Sequence, residues 1–263
     1  MKAWKRIHIT KKRAVCGVLG LLLLAAAYMG VPRAAEKVFA VAEGERRLPI
    51  YCVQTDKPQV SVSFDAAWGA DDTDELLWIL KENDVKATFF LCGYWVEKYP
   101  EEVKKIAAEG HDLGNHSATH PHMSRISSEE IAQELQKCHE NVKKLTGVEM
   151  ELFRPPFGEY DNHVIETAEQ NGYYTIQWDV DSLDWKEQGA EAEIRQVLEH
   201  KHLGNGSIIL FHNDAKYTPK VLDTILKGIK EKGFEIVPIS QLIHRENFEM
   251  DHEGRQIPKG KDV

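Results

Sequence analysis

The stretch "QVSVSFDAAWGADDTDELLWIL" (Gln59–Leu80) contains one strand, one loop and one helix in that order. "QVSVSF" is strand-like and runs straight into Asp65. After the loop "DAAWGADDT", Leu76, Leu77, Ile79 and Leu80 fall on one face of a helix. A strand leading through a loop into a helix is half of a parallel crossover unit. In folds built from such units, functional side chains collect where strands end and loops begin. Asp65 sits at such a place.

The same alternation continues to about Arg245. "KATFFL", the short run His111–Gly114, "MELFR", "YYTIQW", "GSIILFH" and "FEIVPI" read as strands. Between them, Pro100–Glu109, "SSEEIAQELQKCHENVKKLTG", "NHVIETAEQNG", "AEIRQVLEHK" and "TPKVLDTILKGIKEKG" read as helices. Ser127 and Glu130 form a capping box for the clearest helix, and Gly147 follows its end. About seven such units predict parallel pairing through right-handed crossovers and a closed or nearly closed β/α barrel.

Outside that body the chain changes character. Lys2, Lys5, Arg6, Lys11, Lys12 and Arg13 precede the apolar run "AVCGVLGLLLLAAAYMGV" (Ala14–Val31). Positive charge ahead of an apolar run of that length predicts a cytoplasmic N-terminus, a membrane segment and an exported, extracytoplasmic body. "VPRAAEK" carries no clean cleavage signature, which favours an uncleaved anchor over a removed signal peptide. The expected organisation is a basic segment 1–13, a signal anchor or signal peptide 14–31, a linker and lead-in 32–58, one α/β domain 59–245 and a loose polar tail 246–263. A formal net charge of −9 over 263 residues, with no basic stripe in the body, gives no reason to expect a nucleic-acid partner. Cys52, Cys92 and Cys138 have neither the even count of a disulfide framework nor the spacing of a thiolate metal site.

Polar groups recur at five strand ends: Asp65, "GNHSATHPH", "RPPFGEY", "DVDSLDW" and "HND". His116 and His120 are four apart, so one helical turn would put both imidazoles on one side, about 6 Å apart along the axis. Such a pair can share one divalent metal, with Zn²⁺ the first choice. His122 and Asp112 stand nearby. Arg154 would hold Asp65 ionised as a general base. Asp184 would raise the pKa of His212 and make its imidazolium a general acid. Trp68 stands at a turn beside Asp65. Trp95 and Trp178 read as core, and His139, His200 and His202 as surface.

These motifs, "SFDAAWG", "HSATH", "RPPFGEY", "DSLDW" and "ILFH", resemble in identity and order those of the carbohydrate esterase family 4 polysaccharide deacetylases, the NodB homology domain. The resemblance covers roughly Gln59–His244, and "FDAAWG" looks most like the peptidoglycan or sporulation-type enzymes of Gram-positive bacteria. It implies a distorted (β/α)7-type barrel that removes acetyl groups from N-acetylated sugars with a divalent metal. Position by position, it makes Asp65 the catalytic base, paired with Arg154, and His116 and His120 metal ligands. His212 becomes the acid, with Asp184 as its partner. The backbone N–H of Phe157, where the family usually has Tyr, falls where an oxyanion donor is expected. Trp185 and Leu210 would line the pocket for the acetyl methyl.

One position departs from that pattern. The family usually has a second Asp, the third metal ligand, where this sequence has Ala66. Three readings follow. Asp72 or Asp71 could replace it, although Asp72 with Glu75 also reads as a helix N-cap box. The two histidines could hold Zn²⁺, Co²⁺ or another divalent ion with waters alone. Or no metal is held, and the domain only binds cell-wall glycan. The expected function is hydrolysis of acetamide groups on N-acetylated cell-wall glycan, with a glycan-binding barrel and a polysaccharide O-acetyl esterase as alternatives.

Overall fold

The computed structural model describes residues 46–259. The basic segment, the apolar run Ala14–Val31 and residues 260–263 lie outside the described residues. Among the described residues no helix is long and apolar enough to cross a membrane.

The strands are β1 (Cys52–Val53), β2 (Gln59–Ala66), β3 (Thr88–Leu91), β4 (Asp112–Asn115), β5 (Leu152–Phe153), β6 (Tyr174–Thr175), β7 (Val180–Asp181), β8 (Ile208–His212), β9 (Glu235–Ile236), β10 (Phe248–Met250) and β11 (Arg255–Pro258). The helices are α1 (Thr73–Glu82), α2 (Gly93–Lys98), α3 (Pro100–Ala108), α4 (Ser128–Thr146), α5 (Asn162–Gln170), α6 (Ala190–Leu198), α7 (Thr218–Glu231) and α8 (Ile239–Leu242). The main sheet is parallel, in the order β6-β5-β4-β3-β2-β8-β7, with β9 added to the start of β2.

On β2 the side chains alternate between two buried environments, as expected for a central parallel strand. Val60, Val62, Phe64 and Ala66 join the large apolar cluster with Leu76 and Leu80 of α1 and Leu222 and Ile225 of α7. On the other face, Ser61 and Ser63 satisfy their buried hydroxyls by donating to the carbonyls of Val237 and Ile209. Asp65 follows them.

Register aligns the strand ends. Asp65 lies level with Phe90 on β3 and His212 on β8. Asn115 at the end of β4 pairs with Leu91 and with Phe153 of β5. His116 and Arg154, the next residues of those two chains, therefore emerge beside Asp65.

The sheet curls without closing, so of the closed or nearly closed barrel expected it takes the open form. β6 and β7 are its two edges and are not paired with each other. Only Ile176–Asp179 separates them in sequence, too little chain for the helical crossover that parallel neighbours need. The segment passes from one edge to the other instead, and Ile176 forms a lone bridge with Ile50. The capping box of α4 forms as read, and Gly147 closes the helix at φ 77°. The tail is not loose: β10 and β11 pair antiparallel, and β11 pairs with β1 inside the supposed lead-in.

Candidate active site

A cavity of about 370 Å³ opens at the C-terminal ends of the strands. It is lined by Asp65, Trp68, His116, His120, Phe157, Trp185, Leu210 and His212, together with Ala67, Gly158, Trp178 and Asp181. Arg154 and Asp184 stand behind the lining, against Asp65 and His212 respectively.

Arg154 is fully buried, and its guanidinium serves three neighbours. Its Nη1 donates to Asp65 Oδ1 at 2.7 Å, and its Nη2 donates to Ser63 Oγ at 3.0 Å and to the Gln177 carbonyl at 3.2 Å. The guanidinium also lies over the rings of Phe90 at 4.1 Å and Trp178 at 5.4 Å. Its backbone carbonyl accepts Nδ1–H of His116 at 2.7 Å, which leaves the lone pair of His116 on Nε2. Burial alone would raise the Asp65 pKa. The Arg154 guanidinium outweighs it and, with His116 and His212 nearby, holds the carboxyl below the usual carboxylate range.

The His116–His120 pair converges by a different route from the helical turn expected of its spacing. The segment is a loop, with Ser117 at φ 65° and His120 at φ 57°. Asn115 Oδ1 accepts Ser117 N–H at 2.9 Å and Ser117 Oγ accepts His120 N–H at 2.9 Å, so short side chains hold the left-handed residues in place. The two Nε2 atoms end 3.2 Å apart, and Asp65 Oδ2 lies 3.7 Å from that of His116. Burial keeps both imidazoles neutral, with that of His120 pushed down to about 4.

His212 has the opposite environment. Its Nδ1–H donates to Asp184 Oδ1 at 2.7 Å and its backbone N–H donates to Asp184 Oδ2 at 2.6 Å. Burial works against the imidazolium, but the hydrogen bond and charge of Asp184, aided by Asp65 and Asp181, raise the pKa above the usual value. The ring stacks on Trp68, 5.0 Å away and tilted by only 9°. Trp68 is held there by Asn213, whose Oδ1 accepts the N–H groups of Ala67 at 3.1 Å and Trp68 at 3.4 Å. Asn213 Nδ2 also donates to the Gly69 carbonyl. A Cβ on Gly69 would lie 2.1 Å from the Asp214 carboxylate, so a larger residue there displaces that side chain.

The chain matches the family profile described as polysaccharide deacetylase over residues 53–176. It is 36% identical over 195 residues to an uncharacterised protein, YlxY, of Bacillus subtilis, covering 74% of this chain and 60% of that one. It is 34% identical over 191 residues to a peptidoglycan-N-acetylglucosamine deacetylase of Bacillus cereus, covering 71% of this chain and 69% of that one. The chain belongs to the polysaccharide deacetylase family, carbohydrate esterase family 4. Among solved structures of this family, it superposes on BA3943, a pseudoenzyme from Bacillus anthracis, with a TM-score of 0.71 and 32% identity over 81% of this chain and 73% of that one. A mutant of BA3943 is described as having restored enzymatic activity.

Family 4 deacetylases generally use a divalent metal, and the residues here fit one in part. Two nitrogens 3.2 Å apart match the roughly 3.3 Å edge expected between two imidazole ligands of a tetrahedral zinc. Yet among the described residues no three His, Cys, Asp or Glu side chains form a group able to hold a metal. The methyl of Ala66, at the position of the usual third ligand, packs in the apolar cluster.

Asp72 does not replace that ligand, which corrects one expectation from the sequence, and it does not cap α1, which corrects the other. It occupies the N-cap position, but its side chain makes no cap hydrogen bond. Asp72 Oδ2 instead accepts Asp214 N–H at 2.7 Å, and the buried Oδ1 has no partner. Burial pushes its pKa up to about 6. A carboxyl whose folded pKa is raised favours the fold while protonated and loses that contribution as pH climbs through about 6. Asp72→Asn is therefore expected to stabilise the protein by about 1 kcal/mol at pH 8 and to leave stability unchanged near pH 4. Urea unfolding at both pH values checks this, and bound zinc should be the same as in the wild type.

Some site residues were not singled out from sequence. Asp181 accepts Leu183 N–H at 2.8 Å and lines the cavity three residues before Asp184 in "DSLDW". Asn213 directly follows His212 in "HND". Trp178, read as core, lines the cavity. Trp95 is core as read, and its indole N–H donates to the Gly69 carbonyl at 2.8 Å. His139, read as surface, lies between Tyr173 Oη and Glu149 Oε2, each at 2.7 Å.

Proposed function

We propose that the chain hydrolyses the acetamide group of N-acetylglucosamine-type sugars in cell-wall glycan, and that the apolar run Ala14–Val31 holds the domain outside the membrane. The observation that carries this reading is the opposite polarisation of two groups on one cavity. Asp65 is held as a carboxylate by Arg154, and His212 is held toward the imidazolium by Asp184. A base and an acid with pKa values pushed apart are what hydrolysis of an amide needs at neutral pH.

Asp65 takes the proton of the attacking water. The backbone N–H of Phe157, a residue of the cavity lining, would stabilise the developing oxyanion. His212 gives its proton to the departing sugar amine, and acetate is released. Trp185 and Leu210 enclose the acetyl methyl, while the exposed face of Trp68 offers a stacking surface for the sugar. His116 and His120 would hold a divalent metal, which when bound supplies Lewis-acid polarisation of the carbonyl. With two protein ligands, that metal is held weakly.

A second reading, a glycan-binding barrel without turnover, is favoured by Ala66 and by the likeness to a family 4 pseudoenzyme. The test is acetate release from N-acetylglucosamine oligomers and from peptidoglycan, after chelation and across a titration of Zn²⁺ or Co²⁺. Release that rises with metal supports the deacetylase. Glycan binding without release at any metal concentration supports the second reading, and release from O-acetylated xylan alone would point to an esterase. The rate should be flat across neutral pH. It should fall on the acid side only below the usual carboxylate range, as Asp65 protonates, and on the alkaline side above the usual imidazole pKa, as His212 loses its proton.

A further inference from the structure

α6 carries an exception in its own pattern. Its buried face presents Val197 and, one turn earlier, Glu193, a carboxylic acid with 5% exposure. Acids are almost never fully buried without a partner that accounts for them. Glu193 Oε1 accepts the Thr218 hydroxyl at 2.8 Å, and that same hydroxyl oxygen lies 3.2 Å from Asp184 Oδ2. Asp184 in turn holds His212. A continuous line of contacts, Glu193–Thr218–Asp184–His212, thus runs from a buried helix face to the cavity.

One hydroxyl has one proton to give, so Thr218 can serve only one of its two carboxylates at a time. We infer that Glu193 and Thr218 form a relay that sets the charge state of His212 through Asp184, which makes Glu193 a positioning residue for the acid. With Glu193 protonated, its O–H donates to Thr218 Oγ1 and the Thr218 proton turns to Asp184 Oδ2. That bond disperses the charge of Asp184 and loosens its hold on the imidazolium. With Glu193 ionised, its proton has gone to solvent and the hydroxyl turns back to Glu193. Asp184 then acts on His212 with its full charge, and a second negative charge stands behind it. Both changes favour the imidazolium at the alkaline side of neutrality, where the acid would otherwise be lost.

The surroundings agree with this direction. The groups that bear on Glu193 are Thr218 from α7 and Asp184 from the segment after β7. Burial raises its pKa to about 7 and Asp184 adds to the rise, while the Thr218 hydroxyl opposes it. His212 is faced by Asp184, Asp65 and Asp181, with His116 as the opposing group and the Trp68 ring stacked against it.

The consequence for turnover rests on His212 acting as the acid, as proposed above; the relay itself does not, so its test reads the imidazole directly. The full protein is titrated from about pH 5 to about pH 10 while the His Cε1–H signals are followed by NMR, with His212 assigned by its loss in His212→Gln. In Glu193→Gln, the ratio of imidazolium to imidazole at His212 is expected to be about threefold lower than wild type above pH 7 and to converge with it below about pH 6. Thr218→Val leaves no hydroxyl to disperse the charge of Asp184, so its ratio should instead lie above wild type below about pH 6, where the wild-type hydroxyl is turned to Asp184, and Thr218→Ser should restore the wild-type curve. A Glu193→Gln curve that superimposes on the wild type throughout overturns the relay. So does an offset that is constant across the whole range, the mark of a packing change, and so does a wild-type curve in Thr218→Val. Absence of acetate release with these shifts intact would count against the deacetylase reading and leave the relay standing.

Discussion

Replacing Arg154 with Met is expected to cost about 3–5 kcal/mol of stability, read from denaturant unfolding at pH 7. Met fills a similar length of buried space, so the loss is mainly electrostatic. The variant strands the Asp65 carboxyl in the interior, and Ser63 Oγ and the Gln177 carbonyl each lose a donor. An unpaired buried carboxylate protonates, so the Asp65 pKa should rise above the usual carboxylate range and the base should be lost at neutral pH. The pairing makes two further demands on the outcome. Arg154→Lys should recover only part of the stability, because an ammonium cannot reproduce the fork that reaches Asp65, Ser63 and Gln177 together. Adding Asp65→Asn to Arg154→Met should cost less than the two changes separately, since each alone leaves the other charge unpaired. Strict additivity would mean that the two groups do not support one another.

Asp65→Asn and His212→Gln are each expected to lower acetate release from an N-acetylated sugar by about a hundredfold or more. The two should separate on a substrate with a better leaving group. An activated aryl acetate expels an anion that needs no proton, so His212→Gln should lose much less on it than on the acetamide. Asp65→Asn should lose comparably on both, because water must be deprotonated in either case. The split distinguishes a base from an acid in a way that a single loss of activity does not. Equal losses on both substrates in His212→Gln would remove it from the acid role.

Much of this site was legible in the chain because parallel β/α folds bring strand ends together in register. Asp65 closes an apolar strand and His212 closes another, and in the sheet they are neighbours on β2 and β8. The partners Arg154 and Asp184 were legible as charges next to apolar runs. The rest depended on geometry that local pattern does not encode. The spacing of His116 and His120 suggested a helical turn, whereas Asn115 and Ser117 side chains build a left-handed loop that brings the rings together by another path. Asp72 carried the residues of a cap, but Asp214 N–H, 142 positions away, takes its carboxylate instead. β7, two residues long, is too short to show a period, so the opening between β6 and β7 was hidden. The hairpin of β10 and β11 looked polar because only part of each strand is covered. Glu193 was part of a helix correctly placed, but its buried polar facing emerges only once α6 is packed against Thr218.

The claim on which the account rests is that acid, base and an imidazole pair share one cavity with a metal half-site short of one ligand at position 66. Calorimetric zinc titration of the wild type and Ala66→Asp tests this most directly. The wild type is expected to bind one zinc weakly, and His116→Ala should abolish the binding. Ala66→Asp should bind one zinc more tightly by more than the roughly 10–100-fold that an outer contact to a metal ligand contributes, and zinc should raise its melting temperature well beyond that of the wild type. Tight zinc binding by the wild type that Ala66→Asp does not improve, or binding that survives loss of His116, would contradict the account.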